Sequence, residues 1–335
     1  MSEKKFFAAA NTIDGFVSYY GEIFGKCQRT YIIKGGSGTG KSYFMKQCAE
    51  HVKKQSDFND IEYFHCSFDP SSLDGIVING NVAIIDGTAP HVYEPTLPGA
   101  RENIVDLGRF WDSTRLRKSR KILEGLARKK KDCFSRAYAY LCSYGCLDRV
   151  RQKILADQVD VARIRSAAAK LFSDIGTEER GESSLRLVGS IGREGVTFFD
   201  TYEKLSSDVY RICDKTGGAH MILDGIIAEA GRFGAGICVS YDPLFKGRSN
   251  ALLVGKTAIV SSVDQEGTAF EDILGAETEE MVKINELQNA LIIEATREFK
   301  RAADIHFSIE EIYVDAMDFG RKEEFTEEFL RDLVI

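Results

Sequence analysis

No apolar run in this chain reaches the roughly 18 residues that a membrane-spanning helix needs, so a helical membrane protein is not expected. The N-terminal Met-Ser-Glu-Lys-Lys-Phe-Phe-Ala-Ala-Ala is basic and then apolar, but the apolar part is too short for a secretion signal and Asn11-Thr12 follows at once. No C-x-x-C pair occurs among the eight cysteines. Cys142 and Cys146 lie one helical turn apart with Cys133 nearby, yet no histidine close in sequence completes a zinc set, and buried thiols are the expectation. Reduced cysteines without an export signal predict a cytoplasmic protein. Proline is missing throughout residues 113–170, which permits long helices there.

Charge is present but unevenly placed. The net charge is −7, while residues 113–170 hold sixteen Lys or Arg against five Asp or Glu. Residues 262–335 hold seven basic and twenty acidic residues. The densest basic run is Arg128-Lys129-Lys130-Lys131. It could bind nucleic acid or an anionic surface, but the acidic excess nearly balances it. The favoured expectation is therefore a basic helical segment paired with the acidic one, in the same chain or in a protein partner.

The most informative stretch is Thr30-Tyr31-Ile32-Ile33, which reads as a buried strand. It is followed by Lys34 and then Gly35, Gly36, Ser37, Gly38, Thr39, Gly40, Lys41 and Ser42. Beyond these, apolar Phe44, Met45, Cys48, Ala49 and Val52 recur at helical spacing. Strand, glycine turn and helix form the context that G-x-x-x-x-G-K-[ST] requires. Glycines let backbone N–H groups surround a phosphate, and the helix start adds positive potential. Lys41 would reach the β- and γ-phosphates of ATP or GTP, and the Ser42 hydroxyl would ligate Mg2+.

A carboxylate partner for magnesium is expected at the end of a hydrophobic strand. Asn81-Val82-Ala83-Ile84-Ile85-Asp86 supplies it, and Gly87-Thr88-Ala89-Pro90-His91 then breaks the strand. Asp86 is the expected metal ligand beside Ser42. Ile61-Glu62-Tyr63-Phe64-His65-Cys66 reads as another strand that delivers Asp69 to the same rim. The catalytic set expected is Lys41, Asp86, Asp69 and His91. No glutamate follows Asp86, so the groups that could activate water are Asp69, His91 and Glu94. Arg101 and Arg109 could neutralise a transferring phosphate.

The chain also compares well with itself. Val17-Ser18-Tyr19-Tyr20 matches Val196-Thr197-Phe198-Phe199, and Tyr31-Ile32-Ile33 matches Tyr210-Arg211-Ile212. Ser67-Phe68-Asp69-Pro70 matches Ser240-Tyr241-Asp242-Pro243, and Ala83-Ile84-Ile85 matches Ala258-Ile259-Val260. The second copy lacks the chemistry: His220 stands for Lys41, Met221 for Ser42 and Ser261 for Asp86. Gly255-Lys256-Thr257 looks like part of a phosphate loop, but no helix pattern follows it.

Asp86-Gly-Thr-Ala-Pro-His91, the upstream H-C-S-x-D-P and the glycine loop, with the stretch from Tyr93 to Trp111, resemble a poorly characterised bacterial family. Its members are tandem P-loop proteins described as ATPases or nucleotide-kinase-like. The resemblance covers nearly the whole chain. It implies a P-loop fold in both halves and ATP binding at residues 35–42 and Asp86. Relatives often keep a better second loop, so the departure at residues 214–221 tells against a second active site.

The expectation is an α/β P-loop NTPase with a parallel sheet flanked by helices, internally duplicated, with a degenerate second copy and added helical segments. The expected divisions are 1–112, 113–175, 185–262 and 263–335, with a polar linker at 174–184. A Mg-dependent ATPase or ATP-driven switch is the leading functional reading. A small-molecule or nucleotide kinase and a non-catalytic nucleotide-gated or nucleic-acid-binding module are the alternatives.

Overall fold

The computed structural model describes residues 3–176, 180–262 and 270–333. Residues 177–179 of the expected linker and 263–269 of the expected C-terminal segment lie outside the described residues. The fold is mixed α/β, and among the described residues no helix is long and apolar enough to cross a membrane.

The chain begins with β1 (Lys4–Phe7), a hairpin of β2 (Ala9–Thr12) and β3 (Gly15–Ser18), and a short helix, α1 (Tyr20–Phe24). β4 (Arg29–Lys34) leads through the glycine loop into α2 (Lys41–Val52). Then come β5 (Ile61–His65), β6 (Leu73–Ile78), β7 (Val82–Asp86) and β8 (Glu102–Asp106). Helices α3 (Ser113–Lys118), α4 (Arg120–Ala156) and α5 (Val161–Ile175) follow. The next part runs β9 (Ser184–Leu185), hairpin β10 (Gly189–Gly192) and β11 (Gly195–Phe198), α6 (Thr201–Leu205), β12 (Asp208–Cys213) and α7 (Ala219–Phe233). β13 (Ile237–Tyr241), β14 (Ser249–Val254) and β15 (Thr257–Ser262) complete it, before α8 (Glu271–Leu274), α9 (Glu279–Val314) and α10 (Phe319–Asp332).

The first sheet has the order β1-β5-β6-β7-β4-β8. β4 lies between β7 and β8, parallel to both. Contrary to the parallel sheet expected from the sequence, β6 runs antiparallel to β5 and β7. Asn79 and Gly80, both left-handed, turn β6 back into β7 and so allow the short reversal.

The second sheet has the order β12-β15-β14-β13-β9. Its senses run in the same succession: β12 parallel to β15, β14 antiparallel to both its neighbours, and β13 parallel to β9. An irregularity falls at Phe64/His65 in one sheet and at Ser240/Tyr241 in the other. These positions correct the match read from sequence. Ser240 and Tyr241 lie inside their strand, whereas Ser67 and Phe68 lie beyond theirs. The local apolar-polar pattern S-[FY]-D-P is shared, but the two segments occupy different steps of the ladder.

One core joins the sheets, with Phe6, Phe7, Phe24 and Phe64 packed against Leu187, Val188, Tyr202 and Ala258. The helical segments then cross over. α5 covers α7, where Ile164, Ala168, Leu171 and Phe172 pack with Ile222, Leu223 and Ile226. α10 covers α2, where Phe329 lies 5.0 Å from Phe44 and 5.1 Å from Tyr31 between ring centres. Between these caps, the 37-residue α4 and the 36-residue α9 run antiparallel. Their order is fixed by Lys130 with His306, Arg136 with Glu298 and Arg151 with Asn285. Thus the basic and acidic segments meet within this chain. Glu298 is buried and is paired by the half-exposed Arg136 and Arg301, so these pairs mainly offset the cost of burying its carboxylate. Most of the adhesion comes from the apolar layer of Ala137, Leu141, Ala295 and Phe299.

Candidate functional site

The glycine loop links the end of β4 to the start of α2, at the carboxyl ends of the parallel strands β4 and β7. Gly38 and Gly40 have φ of 72° and 78°, a region where a side chain would be strained. Gly40 caps α2, and Phe44 donates its N–H to the Gly40 carbonyl at 2.8 Å. Lys41 folds back over the loop. Its Nζ donates to the Gly35 and Gly36 carbonyls at 3.1 and 2.8 Å and lies 3.5 Å from Asp86 Oδ2. Asp86 sits at the end of β7, paired in register with Ile33. Burial raises its pKa above the usual carboxylate range, more than nearby Lys41 and the bonds from Thr88 lower it. Thr88 donates to Asp86 Oδ1 from its backbone N–H at 2.9 Å and its hydroxyl at 2.6 Å.

Ser42 Oγ accepts the Leu73 N–H at 3.0 Å, which ties α2 to the start of β6. The next residue, Asp74, was not read from the sequence as part of the site. It is 5% exposed and brings a carboxylate 3.1 Å from His91 Nε2. The two atoms are close but poorly aligned, and Asp74 Oδ2 and His91 Nδ1 both remain buried without a hydrogen bond. Burial pulls the His91 pKa down, but the Asp74 carboxylate outweighs it and the pKa is raised. Tyr20 stacks on the His91 ring at 5.0 Å and Phe16 meets its edge at the same distance.

Cys66, Asp74 and His91 place a sulfur, an oxygen and a nitrogen within 4.8 Å of one another, the one such group of three among the described residues. That mixed set suits a zinc-like ion better than magnesium, which takes oxygen. Cys133, Cys142 and Cys146 form no such group among the described residues. Cys142 and Cys146 are exposed rather than buried, contrary to the sequence expectation.

The other expected residues divide by position. Asp69 Oδ1 accepts from the Ser71 N–H at 3.1 Å and its hydroxyl at 2.7 Å, and lies 3.0 Å from Arg193 Nη2. Arg193 belongs to the turn between β10 and β11, so the second half reaches the rim of the first. Glu94 pairs with Lys34 at 2.6 Å, while Lys34 also donates to the Gly87 and Tyr93 carbonyls and holds the loop after Asp86. Arg101 lies at the opposite end of the sheet: Thr30 aligns with Glu102, whereas Lys34, next to the glycine loop, aligns with Asp106. Its expected role on phosphate is therefore excluded by the strand register. Arg109 is held between the faces of Phe110 and Phe325, each 5.4 Å away.

Helix α9 and Trp111 cover the loop. A Cβ on Gly36 would lie 3.2 Å from Trp111 Cζ2, and one on Gly38 would lie 2.9 Å from the Glu310 carbonyl oxygen. Trp111 packs on Tyr313 at 5.3 Å, and its indole Nε1 is buried without an acceptor. The α9 part of this cover lies about 270 residues further along the chain than the loop.

The turn between β12 and α7, which the sequence match sets against the glycine loop, is already filled. Asp214 Oδ1 accepts the Gly217 and Gly218 N–H groups at 2.7 and 2.8 Å. Arg151 lies against Gly217, and Gln152 Nε2 donates to the Gly217 carbonyl at 3.1 Å. His220 Nδ1 is 3.0 Å from that carbonyl, and burial lowers its pKa. Ser261 pairs with Ile212 as Asp86 pairs with Ile33. A carboxylate from the chain thus sits on N–H groups of the kind that bind anions. Asp214→Ala should destabilise the protein by about 1–3 kcal/mol in urea unfolding, because two partly buried N–H groups lose their acceptor. A change below a few tenths would show that the carboxylate does not hold this turn.

The chain matches no protein-family model, no curated protein and no solved structure.

Proposed function

We propose that this chain binds a nucleoside triphosphate, ATP or GTP, with magnesium at residues 35–42, and acts as an ATPase or nucleotide-driven switch with one competent site and one filled site. The observation that carries this reading is Lys41, which follows a left-handed glycine turn and lies 3.5 Å from Asp86 across two adjacent parallel strands. The residues fit the ligand. A glycine-rich backbone can turn its N–H groups toward phosphate oxygens, and the Lys41 ammonium now rests on two carbonyls that phosphate would replace. Ser42 and Asp86 would hold magnesium, whose chemistry is to neutralise charge on the phosphates. Asp74 and His91 supply a buried carboxylate–imidazole pair that can orient a water or accept its proton.

The two halves are read as copies of one P-loop unit. Matching strand order and sense, the shared ladder irregularity, a hairpin and short helix in each half, and one long helix after each sheet all support this. The crossed helices give the switch its lever. α9 and Trp111 rest on the loop that would close around phosphate, so occupancy there and the packing of α9 depend on each other.

Isothermal titration with ATP and GTP, with and without magnesium, tests the proposal. Micromolar-range binding that requires magnesium is the supporting result. Asp86→Asn should cost roughly tenfold or more in magnesium-dependent affinity while binding without magnesium changes little. Equal affinity in the variant at saturating magnesium would remove Asp86 from the metal site. Turnover without any acceptor supports the ATPase reading, and tight binding with turnover only on addition of an acceptor would move the assignment to a kinase.

A further inference from the structure

The basic run that stood out in the sequence is divided by the helix that carries it. Arg128, Lys129 and Lys131 are exposed on α4, while Lys130 is turned inward. Its ammonium donates to His306 Nδ1 at 3.0 Å. His306 is a half-buried histidine whose pKa is lowered to about 4 by burial and by the neighbouring lysines, Lys130 and Lys41. It is therefore neutral near pH 7 and offers Lys130 an acceptor but no charge. Among the described residues, His306 is the only hydrogen-bond partner of Lys130, and a lysine carries three N–H donors.

The surroundings place this group beside the glycine loop. His306 is one helical turn before Glu310, whose carbonyl abuts Gly38. Phe134, one turn after Lys130 on α4, packs on Phe68 at 5.0 Å, and Phe68 also faces His306 at 6.5 Å. Phe68 lies in the segment after β5, two residues from Cys66. Burial lowers the Lys130 pKa, Cys66 opposes this, and Lys41 lowers it further, so both are near enough to act on it. Lys41 has Asp86 as counter-charge, and Arg193 has Asp69. Lys130 has no carboxylate within salt-bridge distance among the described residues. A partly buried ammonium held on a neutral imidazole is a costly arrangement, and an anion between the two lysines would relieve it. The same two ammonium groups make a further metal ion at Cys66 the less favourable occupant of this space.

Resting on the nucleotide reading above, we propose that Lys130 recognises the terminal phosphate, so that the closed packing of α4 and α9 selects a nucleoside triphosphate over the diphosphate. Lys41 reaches the phosphate from the loop, and Lys130 reaches it from the helical arm. Loss of the terminal phosphate removes the anion between them. The two ammonium groups then repel, and the contact from α4 and α9 onto the loop is weakened. This gives the crossed helices a means of reporting which nucleotide is present.

The test is magnesium-dependent titration of the full chain and of Lys130→Met with ATP and with ADP, a substitution that keeps the length of the side chain and its packing. The expected result is a roughly ten- to hundredfold loss of affinity for the triphosphate, with diphosphate affinity unchanged within about twofold. Lys130→Arg should restore part of the preference, because it returns the charge. An equal loss for both nucleotides would show that Lys130 only supports the fold, and an unchanged ratio would show that it touches no phosphate. Either result overturns the inference but leaves the loop assignment standing. No nucleotide binding by the unaltered chain would overturn both.

Discussion

Replacing Lys41 with alanine is expected to weaken triphosphate binding roughly a hundredfold or more, while the protein still folds. The side chain is 14% exposed and, among the described residues, its polar partners are the loop carbonyls and Asp86, so its removal is not the deletion of a core group. It does leave Asp86 buried without its nearest positive charge. That carboxyl is already pushed toward protonation by burial, and taking up a proton limits the cost. A loss of stability on the order of 1–2 kcal/mol is expected near neutral pH. Because the pKa of Asp86 is raised by folding, its ionised form opposes stability as pH climbs through the folded value. The variant should therefore gain relative stability as the solution is made more acidic. Equilibrium dialysis with labelled ATP measures the first effect, and urea unfolding at two pH values the second. ATP affinity equal to that of the unaltered chain would end the assignment of residues 35–42 as the binding loop.

Phe299→Ala should be the most damaging single change on the helical arm, at about 3–5 kcal/mol. Phe299 is fully buried on α9 and meets Phe134 at 5.6 Å, Tyr138 at 6.2 Å and Phe68 at 6.3 Å. Its removal leaves a cavity between two long helices and the segment after β5, none of which can collapse without moving the others. Urea unfolding followed by both far-ultraviolet circular dichroism and tryptophan fluorescence should show the midpoint falling in parallel for the two signals. Trp111, the sole tryptophan, reports on the loop cover, far along α9 from Phe299. A cost under about 1 kcal/mol would mean that the α4–α9 layer adds little to holding the molecule together. Loss of one signal well before the other would mean that the arm unfolds separately.

The loop, its strand and its helix were legible because each had a strong local signal. The buried face of α2 is Phe44, Met45, Cys48, Ala49 and Val52, the same residues whose spacing predicted the helix. β7 was legible from four consecutive apolar residues before Asp86. β6 was not, although every one of its residues is buried and Asn79-Gly80 marks its turn. Leu73-Asp74-Gly75 places a charge and a glycine where a strand pattern would be apolar, and local preference then favours a turn. The missed strand carried the missed site residue, since Asp74 is buried by neighbours that lie elsewhere in the sequence. Lys130 was noticed only as part of a charged run. Yet it continues the stripe of Leu123, Leu126, Cys133, Phe134, Ala137 and Leu141 at helical spacing, a signal within α4 that sets it apart from Lys129 and Lys131 and that the charged run obscured. The displaced S-[FY]-D-P match shows the opposite error, a short similarity that does not hold the same place on the ladder.

The crossing of the helices also bears on how the molecule is made. The apolar face of α2 is closed by Phe329, and the glycine loop is covered by Glu310 and Tyr313. All three leave the ribosome about 270 residues or more after the segments they cover. The amino-terminal sheet can assemble early, but its helix face and loop must wait for this cover until α9 and α10 have been made. α5, by contrast, is made before the helix it covers. The nascent chain therefore passes through a stage in which its glycine loop is present but not yet shielded by α9, and a chain stopped before α9 would retain that loop without this cover.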